Sequence, residues 1–166
     1  MHAQASYLSA RIVPLNDLVR RVVNDRKLAI VAKGVRIELN CENVAAYCDE
    51  DKIRVVLDNL LSNAIKYSPD RGLISFKLYK DCGDAVFEVL DEGPGIPEHE
   101  RERVFEAFYK GSDPPVAAVK GSGLGLSIVK EYVTLHRGRI EILEGPGAHF
   151  RIRLPRRKAD VEEAAA

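Results

Sequence analysis

"KGSGLGLSIVK", Lys120 to Lys130, sets glycines at alternate positions, Gly121, Gly123 and Gly125, directly ahead of an apolar run with helical spacing. The first turn of a helix presents backbone N–H groups without intrahelical partners and the positive end of the helix dipole. Glycines placed there let a phosphate approach the backbone closely. Three glycine patterns compete for the stretch. A P-loop needs Lys followed by Ser or Thr after its last glycine, whereas Gly125 precedes Leu126 and Ser127, so that pattern is rejected. A dinucleotide fingerprint needs G-x-G-x-x-G after a strand. The spacing here is G-x-G-x-G after a proline-bearing loop, which leaves that reading weak even with Glu141 at a suitable distance. A glycine-rich hinge without a ligand is the plain alternative, and the rest of the chain decides between them.

Upstream, "EGPGIPEHERERVFEAFYKGSDPPVAAVKGSG" is rich in Gly and Pro, with one short helical stretch expected around His99 to Phe105. A loop of that length in a small domain is a functional lid or a disordered segment. Before it, "LISFKLYK" and "DAVFEVLDEG" alternate apolar and polar residues and are joined by "DCGD", a hairpin pattern. Further upstream, Ile53, Val56, Leu57, Leu60, Leu61, Ala64 and Ile65 step by three and four until Pro69, which predicts a long helix preceded by the acidic cluster Asp49, Glu50, Asp51. "LNDLVRRVVNDRKLAIVA", Leu15 to Ala32, reads as a first helix stopped by Gly34; "VRIELN" reads as a strand and "VAAYCD" as a weaker one. Downstream, Leu124 to His136 reads as a third helix, and "GRIEILE" with "HFRIRLP" as a second hairpin across "GPGA". Helices covering one face of a mixed, mostly antiparallel sheet make an α+β two-layer sandwich. The domain is expected between residues 12 and 157, with 1–11 as linker and 158–166 as a disordered tail.

Composition narrows the function classes. The chain has 166 residues and a formal net charge of zero, so its bulk charge points neither to nucleic acid nor to an anionic membrane. Cys41, Cys48 and Cys82 form no close pair, against a disulfide framework or a zinc site, and reduced cytoplasmic thiols are the expected state. Apolar runs break within a few residues, far short of a bilayer span.

Two constellations accompany the glycines. On a wheel of roughly 100° per residue, Asn59, Asn63 and Lys66 fall within about 60° of one another, off the apolar face. Amide oxygens are hard ligands suited to Mg²⁺ and a neighbouring Lys can neutralise phosphate, whereas the bland reading is a solvated helix face. Asp91 shares strand parity with Phe87 and Val89, so a carboxylate ends an apolar face just before "EGPG". A buried carboxylate requires a donor, and the exocyclic amine of adenine is one; the alternative is an ordinary turn-forming Asp.

In order and spacing, "DNLLSNAIKYS", "DEGPGIP", "VFEAFYKG" and "GSGLGLSIVK" resemble the N, first glycine, phenylalanine and second glycine boxes of bacterial sensor histidine kinases. The resemblance covers nearly the whole domain, from "VPLNDLVRRVV" to "FRIRLP". It implies the catalytic, ATP-binding module of the Bergerat fold, shared with gyrase, Hsp90 and MutL type ATPases. Carried across motif by motif, it implies that Asn63 and Asn59 hold Mg²⁺, that Lys66 contacts phosphate and that Tyr67 lines the pocket. Asp91 would accept the adenine amine, and Gly93, Gly95 and Ile96 would pass the base. Phe105 and Phe108 would anchor the lid, with Lys110 reaching the phosphates. Gly121, Ser122, Gly123 and Gly125 would cradle the triphosphate, with Leu124 and Leu126 packing under the lid.

One position separates subclasses. The ATPase relatives resemble Glu-x-x-x-Asn in the N box, where this chain has Asn59, and an amide cannot activate water as a base. The module therefore looks built to hold ATP and Mg²⁺ for transfer to a positioned acceptor, with slow hydrolysis. No "HE-x-x-x-P"-like acceptor box occurs among His2, His99, His136 and His149. The acceptor is expected in the dimerisation and histidine-phosphotransfer region of a longer receptor, of which this chain is a cytoplasmic fragment, with a cognate response regulator downstream. An anti-sigma-factor type serine kinase and a nucleotide-binding docking module without turnover are the alternatives. His136, near a helix C-terminus, reads as structural. "GPGAHF" departs from the family's Gly-x-Gly-Ser-Thr-Phe; parity places His149 with Arg151 and Arg153 and predicts solvent exposure, against a changed water network around adenine. "GSDPPVAAVK", Gly111 to Lys120, is expected to be mobile without nucleotide and to order on binding.

Overall fold

The long apolar stripe after the acidic cluster builds the central helix. Asp49 caps it, its side chain accepting the Lys52 N–H (3.2 Å), and Glu50 and Asp51 place negative charge on the first turn. The helix runs Glu50–Tyr67 (α3) and stops at Ser68, the residue before Pro69. All seven stripe residues from Ile53 to Ile65 are buried. The computed structural model describes residues 8–107, 109 and 125–162.

Around α3 the chain forms β1 (Arg11–Pro14), α1 (Leu15–Asp25), α2 (Lys27–Lys33), β2 (Arg36–Cys41), β3 (Ala45–Cys48), β4 (Leu73–Asp81) and β5 (Asp84–Leu90). After β5 come two single 3₁₀ turns, Glu98–Glu100 and Arg103–Phe105, then α4 (Gly125–Leu135), β6 (Arg139–Ile142), β7 (His149–Pro155) and α5 (Lys158–Glu162). A mixed five-stranded sheet has the order β2-β4-β5-β7-β6; β2 and β4 are parallel and the other pairs antiparallel. One sheet face, with Ile74, Phe76, Leu78, Phe87, Phe150 and Ile152, packs under the helices to form the core. Full burial of a side chain such as Phe76 or Phe87 contributes about 1.5–3 kcal/mol. No helix of the described residues is long and apolar enough to cross a membrane.

The structure corrects the sequence reading in three places. The expected single helix from Leu15 to Ala32 is two helices broken at Arg26. The stripe that buries Leu15, Leu18, Val19 and Val22 is not continued, since α2 has no fully buried residue, and the Arg26 guanidinium turns to grip Asp58 of α3 with two 2.7 Å hydrogen bonds. The expected linker already belongs to the fold: Arg11 opens β1, which pairs with β3, and the Ser9 N–H donates to Asp49 Oδ2 (2.9 Å). Residues 158–162 of the expected tail form α5, whose Val161 is buried, while the Arg156 carbonyl accepts the Tyr47 N–H of β3 (2.9 Å). His136, read from sequence as structural, is buried. Its Nδ1–H donates to the Tyr132 carbonyl (2.7 Å) and its Nε2 accepts the Asp49 N–H (3.0 Å), an arrangement only the neutral ring can make. Burial, the dominant influence, pushes its pKa down.

Candidate functional site

The last turns of α3, the loop after β5, the two 3₁₀ turns, the start of α4 and the start of β7 converge on a cleft of about 140 Å³. Its floor carries Asp91. β5 ends on the core face, so the carboxylate is carried inward and is only 3 % exposed. The Gly93 N–H (2.9 Å) and the Ala148 N–H (3.0 Å) both donate to Oδ1, and among the described residues nothing donates to Oδ2. Burial raises the Asp91 pKa and these two N–H groups oppose the rise. The result is a fixed carboxylate with one oxygen left to accept a donor from a ligand.

Two close approaches set the floor in place. A Cβ on Gly93 would lie 2.4 Å from the Tyr67 carbonyl oxygen, and one on Gly147 would lie 2.0 Å from the Asp91 carbonyl oxygen. Only glycine allows the "DEGPG" and "GPGA" segments to interlock at this spacing, and it is this interlock that delivers the Ala148 N–H to Asp91. Gly95 takes the left-handed conformation, φ +77°, beside Gly147.

Of the residues singled out from sequence, Asn63, Tyr67, Asp91, Gly95, Ile96 and Leu126 line the cleft, and Gly93 is bonded to its floor. Burial raises the pKa of Tyr67 and keeps its hydroxyl protonated. Asn59 lies one turn further up α3, outside the lining. Its Nδ2 donates to the Val55 carbonyl (2.9 Å), and its Oδ1 faces the first residue of α4, where a Cβ on Gly125 would come within 2.9 Å of it. Lys66 is exposed and does not line the cleft. Phe105 packs against the core beneath the Lys130 ammonium, 5.3 Å from the ring centre, and is likewise no part of the lining. Phe108, Lys110, Gly121, Ser122, Gly123 and Leu124, together with the expected mobile stretch Gly111 to Lys120, lie outside the described residues.

His149 shares a sheet face with Arg151 and Arg153 as parity predicts, yet it is not solvent-exposed. Its side chain is 18 % exposed and Nε2 stands 2.6 Å from Glu88 Oε1, because antiparallel pairing of β5 and β7 sets an acidic partner beside it. It therefore faces away from the cleft, while its neighbour Ala148 lines it. Sequence reasoning missed Pro94, Pro97, Glu100, Val104, Tyr109 and Phe150 as cleft residues. "GIPEHERERV" offered little signal for Pro97, Glu100 and Val104, since a run so rich in charge reads as a solvated face.

The profile of the "Histidine kinase-, DNA gyrase B-, and HSP90-like ATPase" family matches residues 48–158, most of the chain and every element that lines the cleft. The chain belongs to this family. Within the histidine kinase-, gyrase B- and HSP90-like proteins, the sensor histidine kinase TmoS of Ectopseudomonas mendocina is 38% identical over 159 residues, covering 93% of this chain and 16% of TmoS. The solved structure of the mycobacterial sensor histidine kinase MprB superposes with a TM-score of 0.77 at 31% identity, covering 89% of this chain and 98% of that one. Full-length ShkA, solved in complex with AMPPNP, superposes with a TM-score of 0.77 at 28% identity over 90% of this chain and 31% of ShkA. The chain thus spans only 16% to 31% of the length of curated relatives such as TmoS and the Escherichia coli sensor histidine kinase GlrK. Its fold is that of a histidine kinase-type ATP-binding catalytic domain.

Proposed function

We propose that the chain binds ATP with Mg²⁺ in this cleft and presents the γ-phosphoryl group to a histidine on another region of a sensor kinase. The observation that carries the reading is Asp91: a buried carboxylate, held on Oδ1 by two backbone N–H groups and open on Oδ2, suits a ligand that brings an amine into a mostly apolar cleft. Adenine is such a ligand. Tyr67, Ile96 and Phe150 supply apolar surface for the base and exclude water from the Asp91 bond. The start of α4, an eleven-residue helix, turns the positive end of its dipole to the phosphates.

The donors present fit Mg²⁺. The ion takes one or two protein oxygens and completes its shell with phosphate and water. Asn59 Oδ1 is directed at the start of α4 by the Nδ2 bond to Val55, and Asn63 stands one turn below it on the cleft wall. When bound, the ion would neutralise charge on the transferring phosphoryl group. Asn59 cannot take a proton from water, so that position of α3 supplies no base for hydrolysis. The acceptor proposed lies on another region of the receptor: of the described histidines, His136 is buried, His149 is held by Glu88, and the exposed His99 is not followed by an acceptor-box pattern. The partners proposed are the dimerisation and phosphotransfer region of the same receptor, on the cytoplasmic side, and its response regulator.

A calorimetric titration of the purified chain with Mg-ATP, beside Asp91→Asn, tests the reading. Saturable binding that the variant weakens by about 10- to 100-fold, the worth of one hydrogen bond to a charged group, is the expected result. Equal binding by both proteins would remove Asp91 from the site and the adenine assignment with it.

A further inference from the structure

One part of the cleft wall is built from a contact that the proposed chemistry does not use. Glu100, in the first 3₁₀ turn, is only 6 % exposed and lines the cleft. A carboxylate buried to that extent requires a donor. The Tyr109 hydroxyl provides it, donating to Glu100 Oε1, and Tyr109 lines the same cleft. The phenol is held from other directions too. The Arg103 guanidinium stands 5.0 Å from the ring centre, and the Tyr109 N–H donates to the Glu106 carbonyl (3.2 Å).

We propose that Glu100 is a positioning residue for nucleotide binding: its carboxylate latches the Tyr109 hydroxyl and fixes that ring as a preformed wall of the cleft. The inference rests on the nucleotide reading of the cleft. Without the latch, the ring and the backbone around it must be ordered when the ligand arrives, which weakens binding. Loss of the phenol hydroxyl alone also leaves Glu100 Oε1 without its donor, with His99 Nε2 at 3.8 Å from the other oxygen, beside a polyanionic ligand, which works in the same direction.

The test is a double-mutant cycle on the whole chain with Glu100→Ala, Tyr109→Phe and the pair, titrated with Mg-ATP. Each single substitution is expected to weaken affinity about tenfold, and the pair no more than the weaker-binding single, because all three remove one contact. Losses that add, or singles that bind like the unsubstituted chain, would overturn the role. Amide exchange of the ligand-free proteins supplies a readout independent of nucleotide. The peptide spanning Val104 to Tyr109 is expected to exchange faster in both singles and to the same extent in the pair, and unchanged exchange counts against the latch. If the unsubstituted chain binds no ATP, the nucleotide reading fails and the role of Glu100 fails with it. If it binds and the variants bind equally, only Glu100 is excluded.

Discussion

At Asp91 the demands of folding and of ligand recognition oppose each other. Burial raises its pKa, so the charged form costs stability at neutral pH, and only the Gly93 and Ala148 N–H groups offset that cost. Asparagine keeps an oxygen for those two donors and removes the charge. Asp91→Asn is therefore expected to be as stable as the unsubstituted chain or more so by urea unfolding at pH 7, while losing nucleotide; a variant that unfolds more readily would contradict this account. Gly147 allows no such exchange. A Cβ 2.0 Å from the Asp91 carbonyl must displace backbone, and Gly147→Ala is expected to lower stability by about 2–3 kcal/mol in the same assay and to abolish binding. His136 sets a pH dependence. Its pKa is lowered in the fold, so below about 6.5 the unfolded chain takes up a proton that the native ring refuses. Stability is fully present above that pH and falls with acidification until the native pKa is reached. Asp49 acts in a lower window. Burial alone would raise its pKa, but the Ser9 and Lys52 N–H groups and the Lys52 ammonium bring it below 3.8, and its contribution is lost only as pH falls through that lowered value. Urea unfolding at pH 7 and pH 5 isolates the histidine, and His136→Gln is expected to flatten the slope between them.

Elements with a long buried stripe could be read from the sequence, and elements fixed by distant partners could not. Seven apolar positions and an acidic start made α3 legible, and alternation made the two hairpins legible. The break between α1 and α2 depends on Asp58, which lies 32 residues beyond Arg26. β1 buries only Val13 of its four residues, and Val161 is the one buried residue among the described side chains of α5, so neither carries a period to detect. Replacing that anchor tests whether α5 belongs to the fold. Val161→Asp is expected to cost about 2 kcal/mol, measured by the shift in urea midpoint, and an unchanged midpoint would return residues 158–162 to the status of a tail. The same contrast divides the candidate site. Asp91 and its glycines announce themselves through strand parity and backbone freedom, whereas Glu100 becomes a buried cleft residue only because Tyr109 folds back onto it.

At the scale of the whole molecule, the proposed function makes Asn59 the residue that decides what becomes of bound ATP. With an amide at Asn59, phosphate release by the isolated chain is expected to be slow, and labelled phosphate should move only when a histidine-bearing partner region is added. Rapid acceptor-free release, abolished by Asp91→Asn, would place the chain among hydrolases instead. The two helices beside the cleft also have a mechanical relation. α4 starts against Asn59 and ends at His136, whose ring is bonded to the cap of α3, so the pair resembles tongs with a pin at Asp49 and jaws at the phosphate end. Eleven residues of helix make an arm of about 16 Å, so a swing of about 10° around the pin carries Gly125 roughly 3 Å across the mouth. The Ser9 N–H is bonded to that same pin, so the approach to β1 and the two helices meet at one residue.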